Sequence, residues 1–183
     1  DKKGRAWTHY DWRDGLADND VQGLYSTEDG HLWAVTSRGV SRFDGTGWTT
    51  HAVPTEFTDV GTLLSMRRTR DGTVWVNLLQ PGATVRYVPD HHQPETEITY
   101  HLEEIPHPGN ATLTWSGRDL WHSTPDNEVQ FAYRLDGGAW SPYSTRKSRN
   151  FQMLRSGLHV FEVKARDRDF NEDLTPARVE FRV

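Results

Sequence analysis

The feature that most limits what this chain can fold into is an internal repeat. Trp7-Thr8-His9-Tyr10 recurs as Trp48-Thr49-Thr50-His51, 41 residues later. Glu28-Asp29-Gly30-His31-Leu32-Trp33-Ala34-Val35 recurs as Arg70-Asp71-Gly72-Thr73-Val74-Trp75-Val76-Asn77, 42 residues later. Gly39-Val40-Ser41-Arg42-Phe43 is echoed by Ala83-Thr84-Val85-Arg86-Tyr87 at a spacing of 44. A period of this length in a strand-rich sequence matches a four-stranded propeller blade. It predicts two blade-like repeats, about 7–52 and 53–105, within a first region of residues 1–105.

Local signals agree with strands. Asp29-Gly30 and Asp71-Gly72 are hairpin turns, because glycine takes positive φ without steric cost. Strands are expected over Leu32–Thr36, Val40–Phe43, Trp48–Ala52 and Val74–Leu79. No sustained 3.6-residue apolar period occurs in residues 1–105, so no helix is expected there.

From about Pro106 the repeat fails and a period of two takes over. Val129, Phe131, Tyr133 and Leu135 share one face, as do His159, Phe161, Val163 and Ala165, and Val179, Phe181 and Val183. One apolar and one polar face per strand describes antiparallel sheets over a single core. Residues 106–183 are therefore expected to form a small fibronectin- or immunoglobulin-like β-sandwich, with Asp136-Gly137-Gly138 and Ser156-Gly157 as turns. The whole chain reads as all-β.

Composition narrows the partners. Eight Trp against two Met suits β structure, where large rings pack on pleated faces. The net charge is −5 and the 21 basic residues are scattered, so no nucleic acid partner is expected. No run of ~18 apolar residues is present to span a membrane. With no Cys, disulfides and thiolate metal sites are excluded. A Gly-x-Ser-x-Gly elbow, a phosphate loop and His-Glu-x-x-His are also missing, and the chain is not expected to be an enzyme.

Gly15-Leu16 through Val21, then Asp29-Gly30-His31-Leu32-Trp33, then Gly39-Val40-Ser41-Arg42-Phe43-Asp44-Gly45 resemble the two-component regulator propeller repeat. The second repeat departs, with Val74 for Leu and no Asp-Gly after Arg86-Tyr87. Tyr133-Arg134-Leu135-Asp136-Gly137-Gly138-Ala139-Trp140 and Gly157-Leu158-His159-Val160-Phe161-Glu162-Val163 resemble the Y_Y_Y domain that follows such propellers, with Phe161 where tyrosine is frequent. The resemblance implies the periplasmic or extracellular sensor region of a hybrid two-component protein. It implies a membrane-anchored parent, glycan sensing by the propeller and dimer contacts by the sandwich. The chain then reads as a fragment or a reduced relative.

Asp167, Asp169, Asn171 and Asp173 stand at alternate positions, the spacing of the first half of a calcium loop. Glu172 replaces the expected glycine and Arg178 the closing glutamate, so the competing reading is a solvated loop. His91-His92, with Asp90, Glu95 and Glu97 nearby, suits zinc poorly, because adjacent side chains on an extended segment diverge. Trp33 and Trp75 are repeat equivalents and are expected in the core. Trp12 and Trp121 lie in less regular segments and are the candidates for stacking on an oligosaccharide.

The expected function is a non-enzymatic sensor or coupling module. The alternatives are a carbohydrate-binding accessory module of a secreted protein and a pure dimerisation module. Two repeats cannot close a ring, and residues 1–6 offer no obvious cap, so self-association as a homodimer is expected.

Overall fold

The computed structural model describes residues 7–27, 30–51, 63–78, 82–120 and 124–183. Every strand in it pairs antiparallel with its neighbours. The chain divides into two compact units, residues 1–89 and 90–183.

The first unit holds the repeats. β1 (Val21–Ser26), β2 (Leu32–Thr36), β3 (Gly39–Phe43) and β4 (Trp48–His51) form a four-stranded meander in sequence order. β5 (Leu63–Arg68), β6 (Val74–Leu78) and β7 (Thr84–Tyr87) form a second, three-stranded meander. The repeat is structural as well as sequential. Trp33 stands opposite Arg42 and Trp75 opposite Arg86, each guanidinium 5.8 Å from its indole. The register slips between Val21 and Gly23 in the first sheet and between Leu63 and Ser65 in the second.

Because side chains alternate along a strand, each sheet has two faces. Trp33, Val35 and Val40 on one face of the first sheet pack with Val74 and Val76 of the second. The opposite face of the first sheet carries Ala34, Phe43 and Trp48, and Leu16 and Tyr10 pack onto it. A 3-10 turn at Trp12–Asp14, with an Asp11/Asp14 capping box, shapes this covering segment. Gly15 closes the turn at φ 96, and a Cβ there would lie 2.0 Å from the Trp48 carbonyl oxygen. Residues 10–17 thus supply a cover that residues 1–6 did not suggest.

The second unit is the sandwich. β8 (Glu95–Tyr100), β9 (Ala111–Arg118) and β11 (Ser148–Phe151) form one sheet in the order β11-β9-β8. β10 (Gln130–Leu135), β12 (Leu158–Arg166) and β13 (Ala177–Arg182) form the other, in the order β10-β12-β13. The core between them contains Leu113, Trp115, Val129, Phe131, Phe161, Val163 and Phe181, with Tyr133, Leu135 and Val179 at its edge. These include the period-two residues expected from the sequence. Trp115 also donates from its indole nitrogen to the Arg146 carbonyl, at 3.0 Å. The domain boundary is corrected: it falls after Pro89, not at residue 105. The reason is β8, which carries no period-two apolar run long enough to stand out, yet pairs with β9 from Glu95 to Tyr100 across one register shift between Ile98 and Tyr100.

Candidate functional site

One end of the sandwich gathers acidic side chains. Asp119 directly follows β9 and Asp167 directly follows β12, while Asp90 precedes β8, whose start is antiparallel to the end of β9. The topology therefore brings three carboxylates from distant parts of the chain to one place. Their oxygens lie within 4.8 Å of one another, and Asp119 and Asp167 are fully buried.

Backbone geometry holds the group in position. The Asp167 amide donates to the Asn171 carbonyl and the Phe170 amide to the Asp167 carbonyl, closing a tight turn with Phe170 at φ 69. The Asn171 amide and its side-chain nitrogen donate to the two Asp167 oxygens at 2.8 and 2.7 Å. That same nitrogen donates to the Asp90 carbonyl at 2.9 Å. The Thr124 amide donates to Asp119 at 2.8 Å, and the Asp90 amide donates to Asp169 at 2.8 Å. Burial pushes the Asp167 carboxyl up to about 6, against the Asn171 hydrogen bonds and with the Asp169 charge adding to it.

The four residues singled out for calcium divide. Asp167 joins the carboxylate group. Asn171 turns its amide nitrogen, a donor, toward Asp167 and Asp90. Asp169 accepts from Asp90, and Asp173 accepts from the Thr175 amide and hydroxyl at 2.8 Å. Asp90 and Asp119 were not among the residues expected to hold calcium. Clustered carboxylate oxygens are the donor type that a hard cation such as calcium takes. His92 pairs with Asp90 at 2.6 Å, and His91 is exposed.

The stacking candidates also divide. Trp12 is 58% exposed on the 3-10 turn, with Arg13 over its ring at 5.5 Å. Trp121 lies outside the described residues. Trp75, expected in the core, is 38% exposed, whereas its repeat equivalent Trp33 is buried. The cause lies in the faces. Trp33 points at the second sheet; Trp75 points away from the first. It lines a shallow groove of about 550 Å³ with Thr69, Arg70, Asp71, Thr73 and Arg86. The signal was present in the sequence: Asn77 and Thr84 stand where the first repeat has the buried Val35 and Val40.

No family model matches the sequence, and no curated protein matches it. Solved structures do. The chain superposes on an extracellular domain assigned to a hybrid two-component system of B. thetaiotaomicron. That match has a TM-score of 0.51 and 16% identity, over 100% of this chain and 28% of that one. A second such extracellular domain from B. thetaiotaomicron gives a TM-score of 0.39 and 16% identity, over 88% of this chain and 31% of that one. Fibronectin(III)-like modules of Clostridium thermocellum CbhA give 0.43 and 13% identity, over 84% of each chain. The first of these supports the fold along the full length of this chain. This chain spans about 28% of that structure.

Proposed function

We propose that this chain is a non-enzymatic sensing and coupling module from the periplasmic or extracellular part of a membrane-anchored two-component signalling protein. The observation that supports the reading is that this chain superposes over its full length on an extracellular domain assigned to a hybrid two-component system. In this reading the repeats hold the ligand and the sandwich passes the effect onward. The ligand class is an oligosaccharide, for which a ring flanked by hydrogen-bonding groups is the fitting surface.

The complete reading frame containing this segment tests the proposal. A membrane-spanning helix and a histidine kinase after the sandwich are expected. A glycoside hydrolase domain in the same frame would overturn it in favour of a carbohydrate-binding accessory module, the reading that half-exposed Trp75 and Trp12 also suit. Binding must also occur without turnover. An oligosaccharide that raises the melting temperature should be recovered chemically unchanged, and any product formation would make the protein an enzyme.

A further inference from the structure

The buried ring of His159, near the start of β12, is held from two sides at once. Its Nδ1 lies 2.8 Å from an Asp136 carboxylate oxygen, and its Nε2 lies 2.8 Å from the Arg155 carbonyl oxygen. Both partners only accept hydrogen bonds. A neutral imidazole carries one N–H and can serve one of them; the imidazolium serves both. The two contacts together therefore describe the protonated ring. The Arg155 bond raises its pKa above the ordinary 6.5, burial opposes that, and Asp136 raises it again.

Three elements meet at this ring. Phe181 of β13 stacks on it at 5.5 Å. The turn after β10 brings Asp136, the charged group that acts on the ring. The segment between β11 and β12 brings Arg155, which is exposed and meets the ring with its carbonyl. On β13, alternation turns the exposed neighbours of Phe181, Glu180 and Arg182, to the other face. On β12 itself, the ring is flanked by the uncharged Leu158 and Val160.

The two partners are anchored unequally. The Asp136 amide donates to the Val160 carbonyl, and its second carboxylate oxygen accepts from the Val160 amide, both at 2.8 Å. These bonds pin the turn to β12 in either state of the ring. Arg155 lies within segment 152–157, which Leu154 ties to Gly109 and Gly157 ties to Val183, each at 3.0 Å. Between those ties, the His159 ring holds the Arg155 carbonyl. When the ring is neutral, its one proton goes to the carboxylate, because a charge-assisted bond is roughly twice as strong as a neutral one. The bare Nε2 lone pair then faces the Arg155 oxygen, and two acceptors repel.

We propose that His159 is a pH-operated clasp: protonated, it fastens segment 152–157 to the sandwich through the Arg155 carbonyl; deprotonated, it keeps Asp136 and lets that segment go. Because folding raises the ring's pKa, the fastening is complete below the unfolded value and is lost as pH rises through the folded one. The clasp lies wholly within the sandwich and is independent of the sensor reading, so its failure would leave that reading standing.

Nuclear magnetic resonance on the whole chain tests it. At pH below the titration of His159, both ring nitrogens should carry protons. As the ring loses one, the amide protection factors of Leu154 and Gly157 should fall about tenfold. The Gly138 amide, which closes the Asp136 turn on the Leu135 carbonyl, should keep its protection. In His159→Gln, whose side chain does not titrate, protection of Leu154 and Gly157 should not change over the same range. Should that variant fail to fold, the unmodified protein decides, since loosening of 152–157 has to share its midpoint with the ring. A ring that is neutral at acidic pH, a different midpoint, loosening at Gly138 in place of 152–157, or the same pH dependence in His159→Gln would each overturn the proposal.

Discussion

Asp167 and His159 are the residues at which burial and hydrogen bonding convert into pH dependence. The Asp167 carboxyl ionises near 3.8 when unfolded and near about 6 when folded, because it is buried. Between those values the native state keeps a proton that the unfolded chain has lost. Its contribution to stability therefore falls as pH rises through that window, by about 3 kcal/mol in total. In chelator-containing buffer, Asp167→Asn should remove that fall, measured by denaturant titration across the window; a curve parallel to the original would refute it. His159 works in the same sense, in a window at higher pH. It is buried against Phe181 and faces two acceptors, the Arg155 carbonyl and the Asp136 carboxylate, each at 2.8 Å. The Arg155 bond first, then Asp136, raise its pKa above the ordinary 6.5 against the cost of burial. Its stabilisation is complete below 6.5 and is lost as pH rises through the folded value. His159→Gln should flatten the decline of stability above that pH. Neither residue announced its partners in the sequence. Asp167 stood out through its acidic spacing, but Asp90 and Asp119 reach it through strand pairing.

At the level of elements, alternation was the readable signal. The expected strands over Leu32–Thr36 and Val40–Phe43 are found, the second beginning one residue earlier at Gly39. Phe161 sits at the centre of the pattern, fully buried, with ring centroids of Trp115, Tyr133 and Phe151 at 5.5, 6.0 and 6.0 Å. Phe161→Ala should lower the denaturant midpoint of the sandwich by an amount equivalent to ~3–5 kcal/mol. An unmoved midpoint would place that ring outside the core. The 3-10 turn at Trp12–Asp14 went unread because three residues carry no periodicity. Its signals are the Asp11 cap and Gly15, and they acquire meaning only with the Trp48 backbone against them.

For the molecule as a whole, the boundary after Pro89 makes a direct prediction. The sandwich core draws its residues from within 90–183: Ile98, Ile105, Leu113, Trp115, Phe131, Phe161 and Phe181 among them. Residues 90–183 expressed alone should therefore unfold cooperatively, with the protected near-ultraviolet signal of a packed Trp115. A segment starting at residue 106 should not, because it lacks β8 and leaves the edge of β9 bare. If both segments folded equally well, β8 would be dispensable and the boundary wrong.

The sequence by itself determined the all-β class, the repeat, most strand positions and the apolar face of the sandwich. These follow from periodicities of two and of about forty residues, which are properties of neighbouring residues and survive without a third dimension. Only the tertiary structure decided that Trp33 is buried and Trp75 half-exposed, although the two share one motif. A strand pattern says which residues share a face, but not what lies opposite that face. The same limit hid the carboxylate group: Asp90, Asp119 and Asp167 become neighbours only because three strands end together, and no local pattern records where a strand's far end will be placed.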